Sequence, residues 1–351
     1  MYLFLKILGS LGVFLLGMRV MNEGAQKAVG KKLRVMLASI TGNRFAGVLT
    51  GLFATSVLQS SSATIALVIS FVNARLLTLF GGIGVIMGAN LGTTITAWIV
   101  AYAGVRIDIV DIALPVIGIG LPLALGRHYC KSAGEILIGF GLLLLGLGLL
   151  KDSVPDLEST LNSANPEQVG NAHFIQSFIE TVSGYGFGSI LIFFCIGIVL
   201  TIVVQSSSAA MAITVTFATN GWIGFPESAA IVLGENIGTT ATAWFVSLAG
   251  NVDSKRAAFA HFLFNAFGVL WVFVVFYGFA EFVQWIGMSL PEALRVSKNH
   301  STSIGFNLAI FHSLFNLMNI CLLIGFVPTI VRVTEKWVTD GCQGELGKRV
   351  T

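Results

Sequence analysis

Two stretches of this chain set four consecutive polar side chains among apolar neighbours. Gln59, Ser60, Ser61 and Ser62 stand in "VLQSSSATIA" (57–66), and Gln205, Ser206, Ser207 and Ser208 in "VVQSSSAAMA" (203–212). Downstream of each comes a second polar group, "GANLGTTITAW" (88–98) and "GENIGTTATAW" (234–244). Gln59, Asn90, Gln205 and Asn236 offer amide oxygens. The six serines, with Thr93, Thr94, Thr239 and Thr240, offer hydroxyls that both donate and accept. Neutral oxygens suit a hard cation such as Na⁺. Hydroxyls and the free N–H groups of half-helix N-termini suit an oxyanion. Gly88, Gly92, Gly234 and Gly238 are expected to let the backbone unwind there and expose further amides and carbonyls. No Lys or Arg lies within 45–72, 77–102, 187–220 or 222–249. A bound anion therefore needs co-bound cations to balance its charge in a low-dielectric site, which points to cation-coupled anion transport.

The polar groups belong to a duplication. Thr55, Gln59 and the first three serines align with Thr201, Gln205 and the second three, and the second motifs align at the same offset of 146 residues. Seventeen of the 44 aligned pairs between 55–98 and 201–244 are identical, without a gap. A weaker match extends backward, "GVFLLGMRVMNE" (12–23) against "GLLLLGLGLLKD" (141–152), each followed by an amphipathic stretch. One position breaks the likeness. Glu235 stands where the first copy has Ala89. An ionisable group at membrane depth is a functional candidate. Either it caps a local helix N-terminus, or it lies near the site as an ion or proton ligand.

The elements that must carry these groups follow from hydropathy. The chain is 55% hydrophobic and 11% charged, with a mean hydropathy of +0.86, against about 25% charged residues in a soluble domain. This is a polytopic, all-α membrane protein. Full spans are expected at roughly 3–21, 77–102, 109–126, 134–150, 222–249, 257–278 and 304–326. The apolar stretches 45–72 and 187–220 are broken by the QSSS clusters, and each half is too short to cross a core of about 30 Å. Each is expected to be a re-entrant hairpin with its turn at the midplane. The N-terminal segment lacks a small-x-small cleavage site and is read as a span of the mature chain.

Charge sets the orientation. Lys27, Lys31, Lys32, Arg34 and Arg44 lie between 23 and 44, and further basic positions are Arg75, Arg127, Lys131, Lys255 and Arg256, with Arg332, Lys336, Lys348 and Arg349 in the tail. The connection 151–172 is acidic, with Asp152, Asp156, Glu158 and Glu167 against Lys151. With the N-terminus outside and both QSSS stretches as hairpins, these basic loops face the cytoplasm and the acidic loop faces out. Arg295 and Lys298 then land outside, against the rule. The first repeat covers 1–126. The second, inverted repeat covers 134–278, followed by a final span at 304–326 and a cytoplasmic tail at 327–351. Inversion places the two hairpin tips face to face near the midplane, as in secondary transporters with interrupted helices.

Other chemistries fare worse. The net charge of +3, with no basic patch among aromatics, argues against nucleic acid. Cys130, Cys195, Cys321 and Cys342 lack metal-ligand spacing. A serine hydrolase needs an activated Ser with a His and an orienting acid, and no G-x-S-x-G elbow is present, so no enzyme is expected. His261 with Asn265, and His312 with Asn316, are spaced four apart on helix faces. Each pair could bond across helices and lock the scaffold, or relay protons.

The paired QSSS clusters, each followed by a GANLGTT- or GENIGTT-like segment, resemble the type II sodium–phosphate cotransporter family and its bacterial relatives. The paired segments "AFAHFLFN" (258–265) and "AIFHSLFN" (309–316) resemble that family too. The resemblance covers about 40–330. It implies Na⁺-driven symport of inorganic phosphate across the plasma membrane, the inner membrane of a bacterium. No cofactor is expected, with Na⁺ as the coupling ion, and the bilayer and a possible homo-oligomer are the expected surroundings and partner. The resemblance carries Gln59, Ser60–Ser62, Gln205 and Ser206–Ser208 over as the phosphate site. Thr55, Asn90, Thr93, Thr94, Thr201, Glu235, Asn236, Thr239 and Thr240 are the expected sodium ligands. A sodium-coupled carrier of another anion, such as a dicarboxylate, and an anion channel remain the alternatives.

Overall fold

The computed structural model describes residues 2–39, 43–106, 109–127, 129–163, 166–289 and 301–339. Cys342, Arg295, Lys298, Lys348 and Arg349 lie outside them. Every element among the described residues is a helix. In order these are α1 (Tyr2–Ala38), α2 (Arg44–Leu58), α3 (Ser61–Asn73), α4 (Leu79–Arg106), α5 (Ile109–Ala124), α6 (Tyr129–Ser153), α7 (Leu157–Leu161) and α8 (Pro166–Ser183). There follow α9 (Phe187–Val204), α10 (Ser207–Thr219), α11 (Phe225–Leu248), α12 (Val252–Ser289), α13 (Ser301–Leu323), a 3₁₀ turn and α14 (Val327–Trp337). Two compact units are formed. The larger comprises Met1–Gly30, Thr94–Gly238 and Val272–Leu314, and the smaller Lys31–Thr93, Thr239–Trp271 and Phe315–Thr351.

Six helical stretches are long and apolar enough to cross a membrane: Phe4–Ala38, Leu79–Tyr102, Cys130–Leu161, Phe187–Val204, Val252–Ser289 and Ile304–Trp337. The seven expected spans differ from these in two places. The expected span 109–126 is α5, which has 16 residues and so extends only about 24 Å. The expected span 222–249 is α11, whose Glu227, Glu235, Asn236 and paired threonines lower its hydropathy. In the other direction, α9 has 18 residues, more than the half-span expected there.

Both QSSS clusters break a helix as their residue types dictate. Gln59 ends α2 at φ 49°, ψ 28°, and Gln205 ends α9 at φ 54°, ψ 24°. These left-handed conformations stop the helical ladder and cost about 1–2 kcal/mol for a residue with a Cβ. The next serine starts the following helix as its N-cap. Ser60 Oγ accepts from Ala63 N and Ser206 Oγ from Ala209 N, each at 3.2 Å, which satisfies one of the N–H groups a helix start leaves open. After the first break the chain doubles back: Thr55 and Thr64, nine positions apart, bond through their hydroxyls at 3.0 Å. A continuous helix would hold them about 13 Å apart.

The second motifs do not unwind. α4 runs unbroken through "GANLGTT" and α11 through "GENIGTT". The glycines expected to loosen the backbone instead let helices touch. A Cβ on Gly88 would overlap the Val48 carbonyl of α2, and one on Gly234 would overlap the Phe194 carbonyl of α9. Small residues that admit a neighbouring backbone are what membrane helices use to associate.

In the larger unit α1 and α6 pack antiparallel through glycines. Lys6 Nζ reaches the Asp152 carbonyl at 3.0 Å, Ser10 and Ser153 hydroxyls meet at 2.9 Å, and Lys27 pairs with Glu135 at 2.7 Å. Between these, a Cβ on Gly17 would meet the Leu142–Leu143 backbone, and a Cβ on Gly146 would stand 2.8 Å from Phe14 Cβ. The backward alignment pairs Gly17 with Gly146 and Phe14 with Leu143. The two contacts are therefore one contact seen from either helix, as a local two-fold axis between α1 and α6 requires.

Candidate functional site

The first copy lies in the smaller unit as far as Thr93. Thr55 Oγ1 donates to Thr64 Oγ1, which donates to the Ser60 carbonyl at 3.1 Å. Gln59 is buried and its Nε2 donates to the Ser56 carbonyl at 2.6 Å. Ser61 is buried, while Ser60 and Ser62 are half-buried. Across α4, Asn90 closes a ring with α12. Asn90 Nδ2 donates to Asn265 Oδ1 at 3.0 Å, Asn265 Nδ2 donates to the His261 carbonyl at 2.9 Å, and His261 Nε2 meets Asn90 Oδ1 at 3.2 Å. With Asn90 Oδ1 as acceptor, the proton of the neutral imidazole belongs on Nε2. Asn319 Nδ2 adds a bond to the Phe264 carbonyl at 2.9 Å. The first His–Asn pair thus ties α12 to α4. Thr93 Oγ1 is spent on the Ala89 carbonyl of its own helix at 3.1 Å.

The second copy lies in the larger unit as far as Gly238 and is arranged differently. Gln205 is exposed, Ser206 and Ser207 are half-buried and Ser208 is buried. Thr201 is 1% exposed, and its Oγ1 has no hydrogen-bond partner. Asn236 Nδ2 donates to the Val232 carbonyl at 2.8 Å, within its own helix. Glu235 is 2% exposed and sits mid-helix in α11, so it caps no helix. Thr214 Oγ1 stands 2.8 Å from Glu235 Oε1 and 3.0 Å from the Ala210 carbonyl. Thr94, Thr239, Thr240 and His312 are buried. Among the described residues no three of His, Cys, Asp or Glu gather as a metal-binding group.

Within each unit, then, the helix that leads into the break packs against the glycines of the second motif. Sequence reasoning had not singled out Thr64 and Thr214. The signal was present in the alignment, because Thr64 faces Ala210 and Val68 faces Thr214 at the common offset.

Hydroxyl- and amide-lined helix breaks without basic side chains, presented twice, supply the kinds of group that bind small ions in an apolar surrounding. The chain belongs to the Na⁺/Pi-cotransporter family, whose family model matches residues 13–152 and 174–292. A curated protein of Escherichia coli named "Putative inorganic phosphate export protein YjbB" is 28% identical over 338 residues, covering 96% of this chain and 56% of its own length. Protein YqeW of Bacillus subtilis is 30% identical over 256 residues, 73% of this chain and 77% of that protein. The human sodium-dependent phosphate transport protein 2B is 30% identical over 147 residues, 38% of this chain and 21% of that protein. The chain thus spans little more than half the length of the first of these relatives. No solved structure matches it.

Proposed function

We propose that this chain is a secondary active transporter that couples Na⁺ to inorganic phosphate by alternating access. The observation that carries the reading is the duplicated helix break, rich in hydroxyls and amides, in segments without Lys or Arg. A phosphate bound by Gln59, Ser60–Ser62, Gln205 and Ser206–Ser208 would find donors there but no counter-charge. Cations held by oxygens drawn from Thr55, Asn90, Thr93, Thr94, Thr201, Glu235, Asn236, Thr239 and Thr240 would supply it. The name of the human relative, sodium-dependent phosphate transport protein 2B, supports the same pairing of ions.

The repeats are inverted in this reading and the hairpins re-entrant. The antiparallel pair α1 and α6 supports inversion, because they begin the two repeats and meet through contacts that exchange under the alignment. The chain is placed in the plasma membrane, the inner membrane of a bacterium, with its C-terminus cytoplasmic. A second reading is phosphate export, favoured by the name of the Escherichia coli relative. An inward sodium gradient drives symport inward, so an exporter of this build would use another driving force or none.

The test is radiolabelled phosphate uptake into proteoliposomes, with and without an inward sodium gradient, for the wild type and for Gln59→Ala/Gln205→Ala. Sodium-dependent uptake that the double variant loses is the expected result. Phosphate movement indifferent to sodium overturns the coupling and favours the export reading. An absence of phosphate movement overturns the substrate.

A further inference from the structure

We propose that one end of the smaller unit is a binding surface for anionic phospholipid headgroups, centred on Arg75. The inference does not depend on which ion the protein carries.

Among the described residues three non-glycine residues hold a positive φ. Two are the glutamines of the helix breaks. The third is Arg75, at φ 58°, which closes the end of α3. Leu76 N donates to the Phe71 carbonyl at 2.9 Å and Arg75 N to the Val72 carbonyl at 3.0 Å. These are the paired bonds of a helix end whose left-handed residue is usually glycine. The second copy closes α10 in the same way. Trp222 N donates to the Phe217 carbonyl at 3.0 Å and Gly221 N to the Ala218 carbonyl at 3.2 Å. There the left-handed residue is Gly221, at φ 80°, and it stands 146 positions after Arg75. One turn is thus made twice, without strain by glycine and with strain by arginine. Arg75 is exposed, and its side chain makes no hydrogen bond or ion pair among the described residues. It therefore adds nothing to the turn. What it offers is a charge to something outside the protein.

Contacts within the smaller unit gather more charge at this end. Asn73 Oδ1 accepts from Asn251 N at 2.8 Å and from Ser254 Oγ at 3.0 Å. That fixes the end of α3 to the start of α12, where Lys255 and Arg256 follow. Arg256 Nε donates to the Val338 carbonyl just past α14 at 3.1 Å, and Arg44 Nη1 to the Gly325 carbonyl, in the turn that leads into α14, at 3.3 Å. α14 buries Val327, Ile330 and Thr334 and leaves Arg332 and Lys336 exposed. The joined segments carry six basic side chains against Asp253 and Glu335. Lys255, Arg332 and Lys336, like Arg75, make no side-chain hydrogen bond or ion pair among the described residues. Apolar side chains stand exposed beside them: Phe45, Phe326, Leu76 at 58% and Trp337 at 74%. Three stretches able to cross a membrane start or stop here, at Leu79, Val252 and Trp337, so this end lies at headgroup depth. A free anion or an acidic protein would match the charge alone. An anionic leaflet matches the charge with its headgroups and the apolar side chains with the acyl chains beneath, at the depth tryptophan favours.

The experiment is thermal unfolding of the purified full chain in an uncharged detergent, with phosphatidylglycerol, phosphatidylcholine or inorganic phosphate titrated in. Phosphatidylglycerol is expected to raise the unfolding temperature saturably and phosphatidylcholine is not, and salt at about 1 M should remove the difference. Each charge removed, in Arg75→Gly or in Lys336→Gln, should raise the half-saturating phosphatidylglycerol by about fivefold. Without lipid, Arg75→Gly should unfold no lower than the wild type, because glycine adopts the turn freely. Equal stabilisation by the two lipids overturns the proposal. So does an unchanged half-saturating concentration in Arg75→Gly, with Lys336→Gln deciding if Arg75→Gly does not fold. Stabilisation by inorganic phosphate that Arg75→Gly loses would make the occupant a free anion and overturn the lipid. No stabilisation by phosphatidylglycerol at all overturns it too, and leaves an acidic protein as the partner.

Discussion

Thr214 Oγ1 and Glu235 Oε1 stand 2.8 Å apart within the larger unit, and the residues 146 positions before them are Val68 and Ala89. A hydrogen-bonded polar pair in one copy is therefore an apolar pair in the other, on matching helices. Substituting Thr214 takes a hydrogen bond from the buried carboxyl, and substituting both members reproduces an arrangement the chain already uses.

The energetic consequence is a double-mutant cycle. Thr214→Val leaves a buried carboxyl without its hydroxyl partner and should cost about 1–3 kcal/mol. Adding Glu235→Ala removes the buried carboxyl as well. Thr214→Val/Glu235→Ala should be as stable as the wild type or more so, with a coupling of about 1 kcal/mol or more between the two sites. Thermal unfolding of the four proteins in one detergent checks this. Independent, additive losses would show that the pair is not a unit.

The ring of Asn90, Asn265 and His261 leads to a contrast between the copies. Asn90→Ala breaks two bonds and strands polar atoms of both partners, all buried, so a loss of about 2–3 kcal/mol is expected. Asn236 makes one side-chain bond, to a carbonyl of its own helix. Asn236→Ala should cost under about 1 kcal/mol. Equal shifts in unfolding temperature for the two variants would contradict the ring.

What could be read without coordinates was what periodicity and repetition encode. The helix breaks at Gln59 and Gln205 follow from polar clusters in apolar runs, and the offset of 146 aligned them correctly. The second motifs were misread because Gly88, Gly92, Gly234 and Gly238 suit an unwound backbone and a close helix contact equally well. Only the carbonyl of Val48 or Phe194 against the glycine decides between them. At α11 the expected span and the hydropathy of the helix differ, because buried Glu235, Asn236, Thr239 and Thr240 make that helix polar. The ring around Asn90 was half legible. The four-residue spacing of His261 and Asn265 suggested a lock, but its third member lies 171 residues from His261, a distance no local pattern spans.

The glycine contacts give a sharp prediction of their own. Gly88→Val and Gly234→Val drive side chains into backbone carbonyls that cannot move away, and should cost more than about 3 kcal/mol, beyond what a marginal protein tolerates. Little monodisperse protein should be recovered. Gly9 and Gly12 have nothing within 4 Å of a new Cβ. Gly9→Ala and Gly12→Ala should raise stability by about 0.5–1 kcal/mol through helix propensity alone. Normal yield from Gly88→Val would mean that α2 and α4 are not in backbone contact.

Gln205 separates strain from function. It is exposed, and it holds a left-handed φ of 54° that a glycine would adopt freely. Gln205→Gly relieves about 1–2 kcal/mol of backbone strain, against an entropic cost of about 0.5–1 kcal/mol in the unfolded chain. A net gain of up to about 1 kcal/mol is expected. If the amide of Gln205 is a substrate ligand, the same variant should lose phosphate uptake although it is the more stable protein. Unfolding temperature and proteoliposome uptake, measured on one preparation, give the answer. A rise in stability with a fall in uptake means that the strained glutamine is kept for its side chain. A rise in stability with uptake unchanged would remove Gln205 from the phosphate site and leave it a helix terminator. Stability lost together with uptake would mean that the side chain supports the break itself, and that the strain is offset locally.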